Sequence, residues 1–229
     1  MAEKKKSPVL LITAFEPFDG ASTNSSLIML EELAKQDWDG KVVFFGPIPV
    51  SFADAWPIIE HALNRYPDIQ GVICMGQAEG ATRISLERMA VNRIHAGIPD
   101  NDGAKPRGPV IDGAPQVLKA LFPWHELEES PHWECTYNAG AYVCNAVMFS
   151  AIHWAREEEK FAGFIHLPLM ESQKGDKGLG EKSFHMKDDV ALKSLTRIID
   201  FALESLEPDY GLKPKPAPQQ KFNPGPPIP

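Results

Sequence analysis

Short runs of consecutive apolar residues recur along this chain and alternate with longer stretches in which apolar residues follow a helical period. The short runs contain many β-branched residues and no regular polar alternation, which is typical of strands buried on both faces. The pattern predicts strands at residues 8–13, 41–45, 69–75, 84–94, 133–137 and 161–167.

The longer stretches predict helices. Asn24 or Ser25 caps the first, which runs to about residue 36, because their side-chain oxygens accept from the free N–H groups of a helix start. Pro57 is compatible with the second helix only in its first turn. Apolar residues at helical spacing predict the further helices at residues 52–66, 142–160 and 187–205, with a short one at 116–122.

The alternation of strands and helices indicates the fold class. Short apolar strands separated by amphipathic helices predict an α/β protein, a single-domain α/β/α sandwich with a mostly parallel or mixed sheet. In such sheets, ligands bind beyond the carboxyl ends of the strands. Function is therefore expected in the loops 14–24, 76–83, 138–145 and 166–173.

Prolines divide the chain into parts. Seven of the 21 prolines lie in the last 19 of the 229 residues, and proline neither continues a helix nor donates to a strand ladder. We expect residues 211–229 to form an extended or disordered tail. Residues 1–6 are expected to be a charged N-terminal tail, which leaves residues 7–210 as the folded domain.

Charge and hydropathy exclude several partner classes. The formal net charge is −8, whereas nucleic-acid binding relies on Lys and Arg. No apolar run approaches the roughly 20 residues of a membrane span, and the run at residues 9–12 is too short for a signal-peptide core. Three cysteines, an odd number, fit a reducing compartment. We expect a cytoplasmic protein with no nucleic-acid or membrane partner.

Cys144 is the candidate nucleophile. It stands in the predicted first turn of a helix, after a glycine that permits a tight turn. The positive end of the helix dipole favours a thiolate, and free N–H groups there can stabilise an oxyanion. Cys74 and Cys135 lie within apparent strands and are expected to be small buried apolar residues.

A thiol nucleophile works best with a base and a group that orients the base. His166 lies near the carboxyl end of a predicted strand, although a structural histidine is the alternative. Glu87 is either an ion-paired surface group, with Arg88 as its partner, or the group that holds a histidine. The sequence contains no metal-binding, P-loop or dinucleotide motif, so no metal or cofactor is expected. A turn is the expected structure of the acidic segment at residues 100–103.

Several segments taken together resemble the pyroglutamyl peptidase I family, the pyrrolidone-carboxylate peptidases. The resemblance covers about residues 8–205, with the motifs in the family's order. The motifs are TAFEPFDG at 13–20, GQA at 76–78, ISLERMAVN at 84–92, IPDNDG at 98–103, AGAYVCN at 139–145 and GFIHLP at 163–168.

The resemblance implies an α/β/α sandwich related to nucleoside phosphorylases, carrying a cysteine peptidase that removes N-terminal pyroglutamate from peptides. It implies a catalytic triad of Glu87, Cys144 and His166, without a cofactor, in a catalytic domain at residues 7–210. It also implies a homo-oligomer, a dimer or tetramer. The substrate-contacting positions that it implies are Phe15, Phe18, Asn24, Gln77 and, through its backbone, Val143.

The chain departs from the family pattern in the loops. Gly97 replaces a usual arginine, for which Arg93 or Arg83 could substitute, and Glu79 replaces a glycine. Residues 169–173 differ from the usual sequence after the histidine. These changes leave two alternatives open: a diverged binding module with little turnover, and a thiol hydrolase that acts on another cyclic amide or acyl compound.

Overall fold

The computed structural model describes residues 9–180 and 183–207. The predicted tails at 1–6 and 211–229 lie outside the described residues. Four α-helices are present in the described part: α1 (Ser25–Leu33), α2 (Ala55–Arg65), α3 (Val143–Glu157) and α4 (Asp188–Ser205). Asn24 caps α1, its side chain accepting from the N–H of Ser26, and Pro57 lies in the first turn of α2, as the sequence predicts.

Twelve strands accompany the helices in the described part of the chain. Six form the main sheet: β1 (Leu10–Phe15), β2 (Val42–Ile48), β3 (Gly71–Gln77), β4 (Ile84–Glu87), β9 (Trp133–Thr136) and β10 (Phe161–Leu167). Six short strands pair outside it: β5 (Met89–Val91), β6 (Ile94–His95), β7 (Arg107–Gly108), β8 (Val117–Lys119), β11 (Leu169–Met170) and β12 (His185–Met186).

The main sheet is mixed and mostly parallel, in the order β2-β1-β3-β10-β4-β9. The strands β2, β1, β3 and β10 run parallel to one another. The pair β4 and β9 is parallel within itself but antiparallel to β10. As a result, the carboxyl ends of β1, β3 and β10 meet at one edge of the sheet, where ligand sites of such folds lie.

Helices cover both faces of the sheet. One apolar core joins α1 and α4 to one face, through residues such as Ile73 and Ile165. The second core joins α2 and α3 to the opposite face, through residues such as Cys74 and Phe164. Since successive residues of a strand point to opposite faces, these continuous apolar strands are buried on both faces of the sheet. The three-layer α/β/α architecture is confirmed.

Two local predictions from the sequence are wrong or incomplete. Residues 116–122 do not form a helix; Val117–Lys119 is the strand β8, which pairs antiparallel with β5. The segment 84–94 is extended but breaks into β4, β5 and β6. Both outcomes depend on long-range pairing, because short segments take the conformation that a partner strand stabilises.

None of the helices within residues 9–180 and 183–207 is long and apolar enough to cross a bilayer.

Candidate active site

The first turn of α3 holds Cys144 with its backbone donors unused. The first intrahelical bond runs from the N–H of Ala146 to the carbonyl of Tyr142 at 3.1 Å, and no side-chain oxygen of Tyr142 caps the helix. Hydrogen bonds among the described residues therefore leave the N–H groups of Val143, Cys144 and Asn145 available. Gly140 makes the approach to the helix possible, because its φ of +81° lies in the left-handed region.

A buried amide holds this helix start in place. The side-chain oxygen of Asn145 accepts from the N–H of Val91 at 2.9 Å. Its NH₂ donates to the carbonyls of Val91 at 2.9 Å and Arg93 at 3.1 Å. Asn145 is fully buried, and it docks the thiol-bearing turn onto β5 and the following loop.

Antiparallel pairing brings His166 and Glu87 together. His166 of β10 pairs with Ser85 of β4, and Phe164 pairs with Glu87. Alternate residues of a strand share a face, so both side chains lie on the face covered by α3. The imidazole Nδ1 lies 2.8 Å from Glu87 Oε1, and both side chains are buried. A carboxylate only accepts, so Nδ1 carries the hydrogen and Nε2 is left as the reactive nitrogen.

The thiol of Cys144 lies beside this imidazole. Burial by itself lowers the pKa of His166, but its interactions with Cys144 and Glu87 outweigh burial and raise the pKa from 6.5 to about 9. A carboxylate that stabilises an imidazolium, and an imidazole beside a thiol, form the arrangement that thiol nucleophiles need.

The other two cysteines lack this setting. Cys74 is completely buried, and burial raises the pKa of its thiol to about 12. Cys135 is only partly buried, less than its position in a predicted strand suggests, and its thiol donates to the carbonyl of Trp124 at 3.6 Å. Neither thiol is hydrogen-bonded to an imidazole among the described residues.

Gly76 provides the space that the thiol occupies, a role that the sequence motif alone did not reveal. A Cβ at this position would lie 3.0 Å from Cys144 Sγ and 3.0 Å from Cζ of Phe164. Phe164 is fully buried, and its ring centroid lies 4.8 Å from that of His166. A side chain at residue 76 would therefore displace the thiol directly, or the imidazole through the phenyl ring.

Gly76→Ala is expected to slow alkylation of Cys144 by iodoacetamide about ten-fold. The added methyl forces a shift of a few tenths of an ångström, and misplacement by 1 Å can cost about 10²-fold in a reaction that depends on geometry. The rate is measured by mass spectrometry of the peptide that contains Cys144. The matched control is Gly163→Ala, whose methyl would meet Trp124 at 2.8 Å on the opposite face of the sheet. Equal rates in the two variants would contradict the role of Gly76.

The backbone N–H and C=O of Gln77 have no hydrogen-bond partner among the described residues. Ala78 N–H donates to the carbonyl of Leu167 at 2.7 Å, and Leu167 is the register partner of Gln77. Peptide groups alternate in direction along a strand, so the N–H and C=O of Gln77 face away from β10, toward β1. The pairing of β1 with β3 ends at Ala14 and Met75. The two groups thus face the space beyond the end of β1.

The side chain of Gln77 links β3 to two other segments by hydrogen bonds. Its Oε1 accepts from the N–H of Ser25 at 2.8 Å and from Nε2 of Gln173 at 2.9 Å. Gln173 in turn accepts from the N–H of Met170 at 2.8 Å and donates to Thr23 Oγ1 at 3.1 Å. The end of β3 is therefore bound to the start of α1 and to the loop that follows β10.

The two phenylalanines border this space differently. Phe15, at the end of β1, is 2% exposed and packs on Phe164 with ring centroids 6.4 Å apart. Phe18 is half-buried, and its ring lies 6.3 Å from that of Tyr142, immediately before α3. Phe15 thus places apolar surface at the end of β1, and Phe18 places it beside the start of α3.

Asn24 and Val143 lie at the same edge of the sheet, and both residues are almost completely buried. Asn24 Oδ1 accepts from the N–H and hydroxyl of Ser26, and its amide donates to the carbonyl of Glu16 at 2.9 Å. The side chain of Val143 is buried in the core under α3. Backbone groups are therefore what Val143 presents to the site.

The departures from the family pattern lie at the rim. Glu79 Oε1 accepts from the N–H of Gly180 at 2.8 Å and the hydroxyl of Ser183 at 3.0 Å, so its charge is turned toward the loop that precedes β12. A Cβ at Gly97 would meet nothing within 4 Å. Arg83 is ion-paired with Glu134 on β9.

Within residues 9–180 and 183–207, no group of three or more His, Cys, Asp or Glu side chains is arranged to hold a metal ion.

Comparisons with known proteins identify relatives of this chain. A family model described as pyroglutamyl peptidase matches residues 8–205. A pyrrolidone-carboxylate peptidase of Pyrococcus furiosus is 36% identical over an alignment of 212 residues, which covers 86% of this chain and 99% of the relative. A second, of Erwinia tasmaniensis, is 35% identical over an alignment of 171 residues, which covers 72% of this chain and 79% of the relative.

Solved structures show the same likeness. A crystal structure of a mutant pyrrolidone carboxyl peptidase from P. furiosus gives a TM-score of 0.78 at 33% identity, covering 86% of this chain and 99% of that one. The pyrrolidone carboxyl peptidase from Thermococcus litoralis gives 0.76 at 31% identity, covering 88% and 96%.

Proposed function

This chain belongs to the pyroglutamyl peptidase family and is a cysteine peptidase of that type, and we propose that Cys144, His166 and Glu87 carry its chemistry. The substrate is a peptide with an N-terminal pyroglutamyl residue, and the reaction hydrolyses the bond that follows it. The observation that carries this proposal is the buried relay from Glu87 through His166 to the thiol at the start of α3.

The proposed mechanism has two steps through a thioester. Cys144 Sγ attacks the carbonyl carbon between pyroglutamate and the next residue, and its proton is held on Nε2 of His166, which is an imidazolium below its pKa of about 9. Unused N–H groups at the start of α3 stabilise the oxyanion. The imidazolium then gives its proton to the departing amine. Water, activated by the same imidazole, hydrolyses the thioester and restores the thiol. Glu87 holds Nδ1–H throughout and stabilises the imidazolium.

The pocket proposal rests on the edge formed by Gln77. A lactam presents a ring C=O and a ring N–H side by side, and the free N–H and C=O of Gln77 form the complementary pair. Phe15 and Phe18 would supply flat apolar walls for the ring. We propose that the backbone of Val143 contacts the substrate at the helix start. Because its polar atoms are engaged within the chain, Asn24 would act mainly by shaping the loop before α1.

A panel of arylamides tests the specificity. We expect the pyroglutamyl arylamide to be hydrolysed with a kcat/KM at least about 10⁴-fold above that of the prolyl arylamide, because proline lacks the ring carbonyl and would leave buried polar groups of the site unpaired. Glutaminyl arylamide, the open-chain form, is the second comparison. Preference for another acyl group would contradict the assignment. Tight binding of the pyroglutamyl compound with negligible turnover would instead identify a binding module.

Two further proposals concern the state of the protein. We propose a homo-oligomer, a dimer or tetramer, and a cytoplasmic location. The family resemblance supports the first, and the three free cysteines, consistent with a reducing compartment, support the second. Light scattering that gives the mass of one chain would contradict the oligomer. Fractionation that places the protein outside the cytoplasm would contradict the location.

A further inference from the structure

Two buried polar atoms beside the triad lack a hydrogen-bond partner among the described residues. They are Oε2 of Glu87 and the hydroxyl Oγ1 of Thr136, and both atoms are shielded from solvent. Buried polar groups in folded proteins nearly always have a partner, so each exception calls for a physical explanation. The carboxylate matters most, because an unpaired buried charge is costly.

The sheet register makes these two residues neighbours. Glu87 of β4 and Thr136 of β9 are register partners in a parallel pair, and the N–H of Arg88 donates to the carbonyl of Thr136 at 2.8 Å. Adjacent strands lie about 4.8 Å apart, and paired residues share a face of the sheet. The Thr136 hydroxyl therefore lies on the face that carries Glu87 and His166.

Several surrounding groups are already committed. His166 of β10 donates to Glu87 Oε1, and Cys144 of α3 lies beside the same imidazole. The Arg88 side chain donates to the hydroxyl of Tyr137 at 3.0 Å. On β9, the carboxylate of Glu134 is ion-paired with Arg83. The buried hydroxyl of Thr136 has no partner among the described residues, and it can donate to a carboxylate oxygen, which only accepts.

We propose that Thr136 is a positioning residue for the triad, its hydroxyl donating to Glu87 Oε2 through one bridging water molecule, since the two atoms are not in direct hydrogen-bonding contact. With both of its oxygens held, the carboxylate of Glu87 keeps one orientation toward Nδ1 of His166. This inference rests on the proposed role of the triad.

Thr136→Val tests it, since valine keeps the shape and removes the hydroxyl. We expect kcat for a pyroglutamyl arylamide to fall about ten-fold with KM changed less than about two-fold, because Thr136 touches no substrate. Thr136→Ser, which retains the hydroxyl, should stay within about two-fold of the parent.

Controls separate a catalytic effect from a loss of packing. Thr13→Val makes the same change at a fully buried threonine of β1 and should leave kcat within about two-fold of the parent. Thr136→Ala is a second variant without the hydroxyl, used if the valine does not fold. A parent-like kcat in a folded hydroxyl-free variant, or a serine variant as impaired as the valine, would overturn the inference. Activity that persists in Cys144→Ala would instead overturn the proposed mechanism.

Discussion

Replacing Cys144 with alanine is expected to abolish hydrolysis of a pyroglutamyl arylamide, lowering kcat by at least about 10⁴-fold. Loss of the attacking atom removes the covalent route altogether, and only binding and oxyanion stabilisation remain. The protein should still fold, because the thiol is only partly buried and alanine is a good helix former. The rate of arylamine release measures the effect, and circular dichroism confirms the fold.

The matched control for this variant is Cys135→Ala. Cys135 is also a partly buried free thiol, but it lies on β9, with its side chain on the face opposite α3. Its removal should leave kcat within about two-fold of the parent. Undiminished hydrolysis in Cys144→Ala, or equal losses in both variants, would show that another group performs the attack.

Glu87→Gln is expected to lower kcat by about 10²–10⁴-fold, the range that a positioned acid–base group contributes. Glutamine retains the size of glutamate and removes the charge that stabilises the His166 imidazolium. Glutamine can also present its NH₂ to Nδ1, which reverses the hydrogen bond and favours the wrong imidazole tautomer. The comparison of kcat and KM locates the loss in the chemical steps.

The same variant predicts a shift in pH dependence. The pKa of His166 is raised to about 9, so the imidazolium is present below that pH and is lost as the pH rises through it. The parent should lose activity on this alkaline side. In Glu87→Gln, burial still lowers the pKa of His166, but the carboxylate that raised this pKa is gone. The alkaline limb should therefore move to lower pH.

Glu134→Gln is the control for Glu87→Gln. Glu134 lies on the neighbouring strand in an exposed ion pair with Arg83, and exposed pairs contribute little. Its loss should leave the alkaline limb in place. An unchanged limb in Glu87→Gln, or an equal shift in both variants, would contradict the assigned role of Glu87.

The strand at residues 161–167 illustrates what the sequence could predict. A run of seven residues, apolar or small except for a histidine near its end, predicted both the strand and the position of His166 at the edge of the sheet. The start of α3 at Val143 was likewise foreseeable from Gly140 and the helical pattern. These signals are local, because strand burial and helix starts leave marks within a few residues of the chain.

Residues 116–122 illustrate what the sequence could not predict. Their composition was compatible with a helix, but Val117–Lys119 pairs with Met89–Val91, nearly 30 residues earlier in the chain. The roles proposed for Gly76 and Thr136 were also invisible, because each depends on a side chain from a distant element: Cys144 for one and Glu87 for the other. Spatial neighbours of this kind leave no periodic signal.

The sequence by itself determined the layered architecture, because hydrophobic period is a local property of the chain, and its motifs singled out Cys144, His166 and Glu87 as candidate reactive groups. Only the tertiary structure decided how those groups act together. The antiparallel placement of β4 against β10 brings Glu87 to His166, and the end of β1 leaves the backbone of Gln77 open. Hydrogen bonds and burial depend on distances between remote segments, and those distances exist only in the folded chain.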